Sequence, residues 1–224
     1  MKRRHFSAAS ASLVGWTCAA GGAAASLMLP APAQAQQNPP VEGTHYVRLT
    51  PPVATSVPGK IEVIEFFWYG CPHCNAFEPA LDAWSKALPA DVAFRRVPAA
   101  FNDSWVPHQR IFYALESMDL LPAMHRKVFY AIHGQRMRLD KPSDITAFMA
   151  SNGIDAAKFG QAYESFTVQT KARQATQLTN AYKIDGVPAL GIQGRYYTSG
   201  PLAGTNERSL LVADYLIERS RKGA

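Results

Sequence analysis

Ile61-Glu62-Val63-Ile64-Glu65-Phe66-Phe67-Trp68 runs almost directly into Cys71-Pro72-His73-Cys74, and this junction constrains the fold more than any other feature. The run is rich in β-branched and aromatic residues and apolar on both alternating faces, the pattern of a central strand buried on both sides. From Pro72 the period changes. Phe77, Leu81, Trp84 and Leu88 recur at spacings of three and four, which places them along one stripe of a helix, and Pro79 is expected to kink it. Val92-Ala93-Phe94-Arg95-Arg96-Val97 then alternates as a strand with one buried face. Strand, helix, strand is a βαβ unit with a right-handed crossover expected, and the cysteine pair sits at its strand-to-helix turn.

No good strand appears from about Ser104 to Lys183. Helical patterns follow one another there, punctuated at Leu121-Pro122, Lys141-Pro142 and Asn152-Gly153, with Ile111, Ala114 and Leu115 on one apolar stripe and Val128, Phe129 and Ile132 on another. This predicts an all-helical insertion over residues 104–183. Val187 to Ile192 and Arg195 to Thr198 read as two short strands meeting at Gln193-Gly194, a hairpin signal. Asn206 offers an N-cap for a closing helix whose Leu210, Ala213, Leu216 and Ile217 face inward. His45 to Leu49 reads as a short strand before the Pro51-Pro52 break.

The N-terminus has a different character. Lys2, Arg3 and Arg4 precede an apolar, small-residue stretch from about Ala8 to Leu29, which ends at Ala33-Gln34-Ala35, and no acid occurs before Glu42. A basic start, an apolar run and a small-x-small site describe a signal peptide over residues 1–35, cleaved near Ala35; an uncleaved anchor is the alternative. Arg3-Arg4-His5-Phe6 partly matches a twin-arginine signal, so the export route stays open. Residues 36–44, with Pro39, Pro40 and Gly43, read as a mobile leader. Cleavage would remove three basic side chains and lower the formal charge from +6 to +3. With no run of Lys and Arg longer than three, nucleic-acid binding is not expected. Cleavage would also discard Cys18, leaving Cys71 and Cys74 as the two cysteines of an exported chain.

Two cysteines three residues apart on the first turn of a helix share a face, close enough to form and open a disulfide with little backbone motion. Cys71 would lie at the helix N-terminus, where unpaired N–H groups and the helix dipole favour a thiolate. It is expected to have a lowered pKa and to be the exposed attacking and leaving sulfur, with Cys74 the resolving thiol. His73 can add an N–H or a positive charge, and Pro72 suits the first helical turn. Whatever favours the Cys71 thiolate favours the reduced protein and makes the disulfide a stronger oxidant. A zinc site would need ligands from His45, His73, His108, His125 and His133, which lack the usual paired spacing. Asn75 stands where a haem attachment motif needs His. A permanent structural disulfide closing so short a loop would stabilise little.

Glu65-Phe66-Phe67, Cys71-Pro72-His73-Cys74, Phe77-Glu78 and Gly186-Val187-Pro188-Ala189 together resemble the DsbA family of the thioredoxin superfamily. The resemblance implies an α/β, thioredoxin-like fold, over residues 45–103 and 184–224, interrupted by the helical domain. It implies a cis Val187–Pro188 peptide beside the cysteines, with residue 187 presented to an extended substrate segment. Glu65, an acid in an apolar strand, matches the family's buried acid and would exchange a proton with Cys74 from a raised pKa; the plainer reading is a carboxylate paired with a nearby Lys or Arg. Glu78 matches a second family acid. Trp68 and Tyr69 are expected either as an apolar rim for partners or as packing residues.

The function expected is disulfide donation in the periplasm: a thiolate of an unfolded exported protein attacks Cys71, and a second substrate thiol resolves the mixed disulfide. The resemblance implies a DsbB-like membrane partner for reoxidation; no cofactor or metal is expected, and the protein is expected to be a monomer. A disulfide isomerase or reductase on the same fold shares every motif. A non-catalytic peptide-binding chaperone is the alternative from another class.

Overall fold

The structure is a computed structural model and describes residues 38–223. The expected signal peptide, with Cys18, lies outside the described residues. The strands are β1 (Val47–Arg48), β2 (Ile61–Phe67), β3 (Val92–Pro98), β4 (Ala189–Ile192) and β5 (Tyr196–Ser199). They form one mixed sheet in the order β1-β5-β4-β2-β3. β2 pairs in parallel with β3 and antiparallel with β4, and all seven of its residues are buried, as its two-faced apolar run requires.

The helices are α1 (Pro72–Lys86), α2 (Val106–Ser117), α3 (Leu121–His133), α4 (Pro142–Ser151), α5 (Ala156–Glu164), α6 (Phe166–Ala181), α7 (Gly200–Ala203) and α8 (Asn206–Arg221). Five of them, α2 to α6, follow one another between β3 and β4. Pro107, Pro122 and Pro142 stand in the first turns of α2, α3 and α4, where a missing N–H leaves no bond unmade. α1 runs unbroken across Pro79.

Two apolar clusters lie on the two sides of the sheet. Ile61 and Val63 pack with Phe77 and Leu81 of α1 and with Leu216 and Ile217 of α8. Ile64 and Phe66, on the other face, join Ile111 and Phe112 of the inserted helices, and Phe67, at the end of β2 on the Ile61 face, reaches the same cluster through Phe112, His125 and Phe129. Because side chains alternate along a strand, Glu65 shares the face of Ile61 and Val63, under α1, and Glu62 takes the other.

Several local details depart from expectation, β1 and β5 among them, at Val47–Arg48 and Tyr196–Ser199 instead of 45–49 and 195–198. Residues 41–46, partly assigned to a mobile leader, form a hydrogen-bonded turn in which Gly43 N–H donates to Tyr46 O at 2.8 Å and His45 N–H to Val41 O at 2.8 Å. The cap of α8 is Thr205, whose hydroxyl accepts from Arg208 N–H at 3.0 Å, and Asn206 is already helical. The strand expected from Val187 begins at Ala189. The hairpin stands as expected: Gln193 and Gly194 both have positive φ, 51° and 65°, the backbone of a two-residue turn matched to strand twist. A Cβ on Gly194 would lie 1.8 Å from the Val53 carbonyl oxygen, so only glycine fits.

Candidate active site

The β2–α1 junction closes through Cys71 N–H donating to Trp68 O at 2.9 Å. Cys71 is the N-cap of α1 in extended conformation, and its sulfur accepts the Cys74 N–H at 3.4 Å. Both residues are free thiols. Cys71 Sγ donates in turn to the Val187 carbonyl oxygen at 3.4 Å, and the Val187–Pro188 peptide is cis. The expectation of an exposed Cys71 is corrected: it is 7% exposed, against 0% for Cys74, because the sulfur sits beneath Val187. It is still the more accessible of the two. A groove of about 620 Å³ opens beside it, lined by His73, Val187, Pro188, Tyr197 and Leu202.

The two thiols are pushed in opposite directions. Cys71 is lowered from 9.0 to about 6, chiefly by the hydrogen bond from the Cys74 side chain, then by the Cys74 and His73 backbone N–H groups and the His73 charge, against the opposing pull of burial. Cys74 is raised well above an ordinary thiol, first by burial, then by the hydrogen bond it gives to Cys71 and by the negative charges of Cys71 and Glu65. One sulfur is thus suited to leave as a thiolate and the other to hold a proton.

Beneath them lies a buried polar chain. Arg96 Nε donates to Glu65 at 2.9 Å and its Nη2 to Glu78 at 3.2 Å; the carboxylates are 0% and 3% exposed. His125 of α3 meets the other Glu78 oxygen through Nε2 at 3.2 Å, and its Nδ1 lies 2.9 Å from the Tyr69 hydroxyl. Burial, then the Glu78 charge, push Glu65 up to about 8 in spite of Arg96. Burial acts the same way on Glu78, but His125 and Arg96 outweigh it and hold Glu78 below its ordinary value. Burial lowers His125. A neutral imidazole that donates from Nε2 to Glu78 and accepts the Tyr69 O–H at Nδ1 satisfies all three groups. Glu65 is therefore paired with an arginine, as the plainer reading expects, and its pKa is raised as well. Glu78 is buried and ion-paired.

The aromatic pair divides. Tyr69 is fully buried, its ring against Phe67, His125 and Phe129, so it packs and cannot form a rim. Trp68 is half-buried and stacks on Trp105 with centroids 3.7 Å apart.

Residues 90–211 match the family model described as a DSBA-like thioredoxin domain. The thiol:disulfide interchange protein DsbA of Pseudomonas aeruginosa is 45% identical over 190 residues, 85% of this chain and 90% of that one. The chain belongs to the DsbA family. DsbA of Bordetella parapertussis is 45% identical over 204 residues, 91% of this chain and 95% of its own. The crystal structure of P. aeruginosa DsbA superposes with a TM-score of 0.79 at 45% identity, over 82% of this chain and 95% of that one. DsbA from Xylella fastidiosa gives 0.77 at 31%, over 83% and 100%. The fold is accordingly the thioredoxin-like DsbA fold with inserted helices, and the chain is a thiol:disulfide oxidoreductase.

Sequence reasoning missed Arg96 and His125 of this DsbA-family site. Arg96 was legible in principle: in parallel pairing in register it faces Glu65. His125 comes from a helix 47 residues beyond Glu78, and no local pattern announces that contact.

Proposed function

We propose that this protein donates disulfides to reduced, exported proteins in the periplasm, and that Cys71 carries the mixed disulfide. The observation that carries the reading is the asymmetry of the pair: Cys71 caps α1 with its sulfur accepting the Cys74 N–H at 3.4 Å, while Cys74 is fully buried. In the oxidised protein a substrate thiolate attacks Cys71 Sγ. The Cys71–Cys74 bond breaks, and Cys74 leaves with the electron pair and takes a proton, which Glu65 at about 8 can supply. A second substrate thiolate then attacks the substrate sulfur, expelling the stabilised Cys71 thiolate. The substrate loses two electrons and the protein gains them.

Val187 and Pro188, at the wall of the groove beside Cys71, would hold the extended substrate segment, with backbone pairing at residue 187. Pro72 and His73 set the poise of the pair, and Trp68 borders it. A DsbB-like membrane protein would reoxidise the dithiol. Export follows from the signal peptide over residues 1–35, and the protein acts as a monomer. Domain limits of 45–103 and 184–224 for the thioredoxin-like part and 104–183 for the insertion fit this division of labour.

The test is oxidation of a reduced model protein by stoichiometric oxidised enzyme. The reading requires that Cys71→Ser abolish transfer and that Cys74→Ser, first loaded at Cys71 as its mixed disulfide with thionitrobenzoate, release that leaving group to a substrate thiolate and be trapped as a mixed disulfide with the substrate. Undiminished assistance of folding by Cys71→Ser would point to a peptide-binding chaperone.

A further inference from the structure

His125 lies in the inserted helical domain, outside the cysteine motif, yet it is 6% exposed and completes the polar chain under the thiols. Among the described residues Arg96 is the one side-chain cation within ion-pair distance of Glu65, and it serves Glu78 as well. A single guanidinium cannot fully offset two buried carboxylates, so a proton must be held on one of them for much of the neutral range. Which one holds it depends on what else each carboxylate contacts. Glu65 Oε1 has no hydrogen-bond partner among the described residues. Glu78 has Arg96 on one oxygen and His125 on the other. The second donor decides the competition: it favours the anion at Glu78 and leaves the proton to Glu65.

Tyr69 fixes which imidazole nitrogen donates. Its hydroxyl, 2.9 Å from Nδ1, donates a hydrogen bond to that nitrogen and so keeps the His125 N–H on Nε2, toward Glu78. Tyr69 stands two residues before Cys71 in the loop that leads into α1, and its carbonyl oxygen accepts from His133 Nε2 at 2.8 Å. The loop bearing the nucleophile and the carboxylate pair are therefore tied to the same helix, α3. Glu78 also borders a pocket of about 270 Å³ with Asn75, Arg126 and Tyr130.

We propose that His125, oriented by Tyr69, is a positioning residue for disulfide transfer: by donating to Glu78 it keeps that carboxylate ionised and leaves Glu65 as the acid that protonates departing Cys74. His125 is buried, and its hydrogen bonds run to Glu78 and Tyr69 rather than to either sulfur. The groups facing it are Glu78, Tyr69 and, through Glu78, Arg96, with Arg126 near enough to act on its charge. The inference rests on the exchange between Glu65 and Cys74 proposed above.

The experiment is the pH profile of the first step, attack of a small thiol on the oxidised protein between pH 5 and 9. Rates are corrected for thiol ionisation and compared in the unchanged protein, Glu65→Gln, His125→Leu and His125→Gln. Glu65→Gln should remove the alkaline fall in rate; if the fall persists there, the Glu65 reading fails. Given that result, His125→Leu should move the fall down by about one pH unit, a loss of about tenfold at a fixed alkaline pH. His125→Gln, whose amide can donate to Glu78 and accept from Tyr69, should restore the original profile. Should His125→Leu not fold, Tyr69→Phe takes its place and should shift the fall in the same direction. A fall unmoved in His125→Leu, or in Tyr69→Phe where that variant is used, would overturn the inference and leave His125 a packing residue.

Discussion

Arg96 stands opposite Glu65 across the parallel ladder of β2 and β3 and donates Nε–H to it at 2.9 Å. The same guanidinium reaches Glu78 of α1 at 3.2 Å, so the strand pairing brings one cation to two carboxylates directly under the redox pair.

Removing that cation should be expensive. Arg96→Met leaves ionised Glu78 in a buried site without its ion-pair partner, and breaking a buried pair in this way costs about 3–5 kcal/mol. Denaturant unfolding at pH 7 measures it. A loss below about 1 kcal/mol would mean that Glu78 takes up a proton at little cost.

Glu65 makes stability fall with pH. An ordinary carboxyl at 4.5 becomes about 8 in the folded protein, so the native state binds the extra proton between those values. The contribution is fully present below 4.5 and is lost as pH rises through 8. In the oxidised protein, where no thiol titrates, Glu65→Gln should remove this decline, whose steepest slope is about 1.4 kcal/mol per pH unit. Parallel stability curves for the two proteins from pH 5 to 9 would contradict a raised Glu65.

The strand, the helix N-terminus and the cysteine pair were legible because each is a local pattern: a two-faced apolar run, a three-and-four stripe, and Cys71 three residues before Cys74. The helical insertion was legible for the same reason, with Pro122 and Pro142 marking helix starts. What escaped was set by tertiary contact. Asn206 looked like the cap of α8, but Thr205 fills that role. Tyr69 offered two readings until its ring was found walled in by Phe67 and Phe129. Exposure of Cys71 was misjudged because Val187, 116 residues away, covers its sulfur.

Cys71 should titrate near 6 when followed by thiolate absorbance in the reduced protein. His73→Ser should raise that midpoint only modestly and leave it below 9.0, because the Cys74 side chain and the backbone N–H groups still hold the thiolate. A midpoint restored to an ordinary thiol value by this one change would show that the imidazole dominates.

The sign for the reduced protein is opposite to that of Glu65. The Cys71 pKa is depressed on folding, so its stabilisation is fully present above about 9 and is lost as pH falls through about 6. The reduced protein should therefore gain stability over the oxidised one as pH rises across that window. Paired thermal unfolding of the two forms at pH 5, 7 and 9 checks the trend; a reduced-minus-oxidised difference that is constant or falls with pH runs against it.

The most direct test of disulfide donation is the redox equilibrium of the Cys71–Cys74 pair with glutathione at pH 7. A thiolate stabilised at Cys71 favours the dithiol, so the pair should stay largely reduced even when oxidised glutathione is abundant, as a strong oxidant does. A pair that remains disulfide-bonded in excess reduced glutathione would be a reductant, and the donor account would be contradicted.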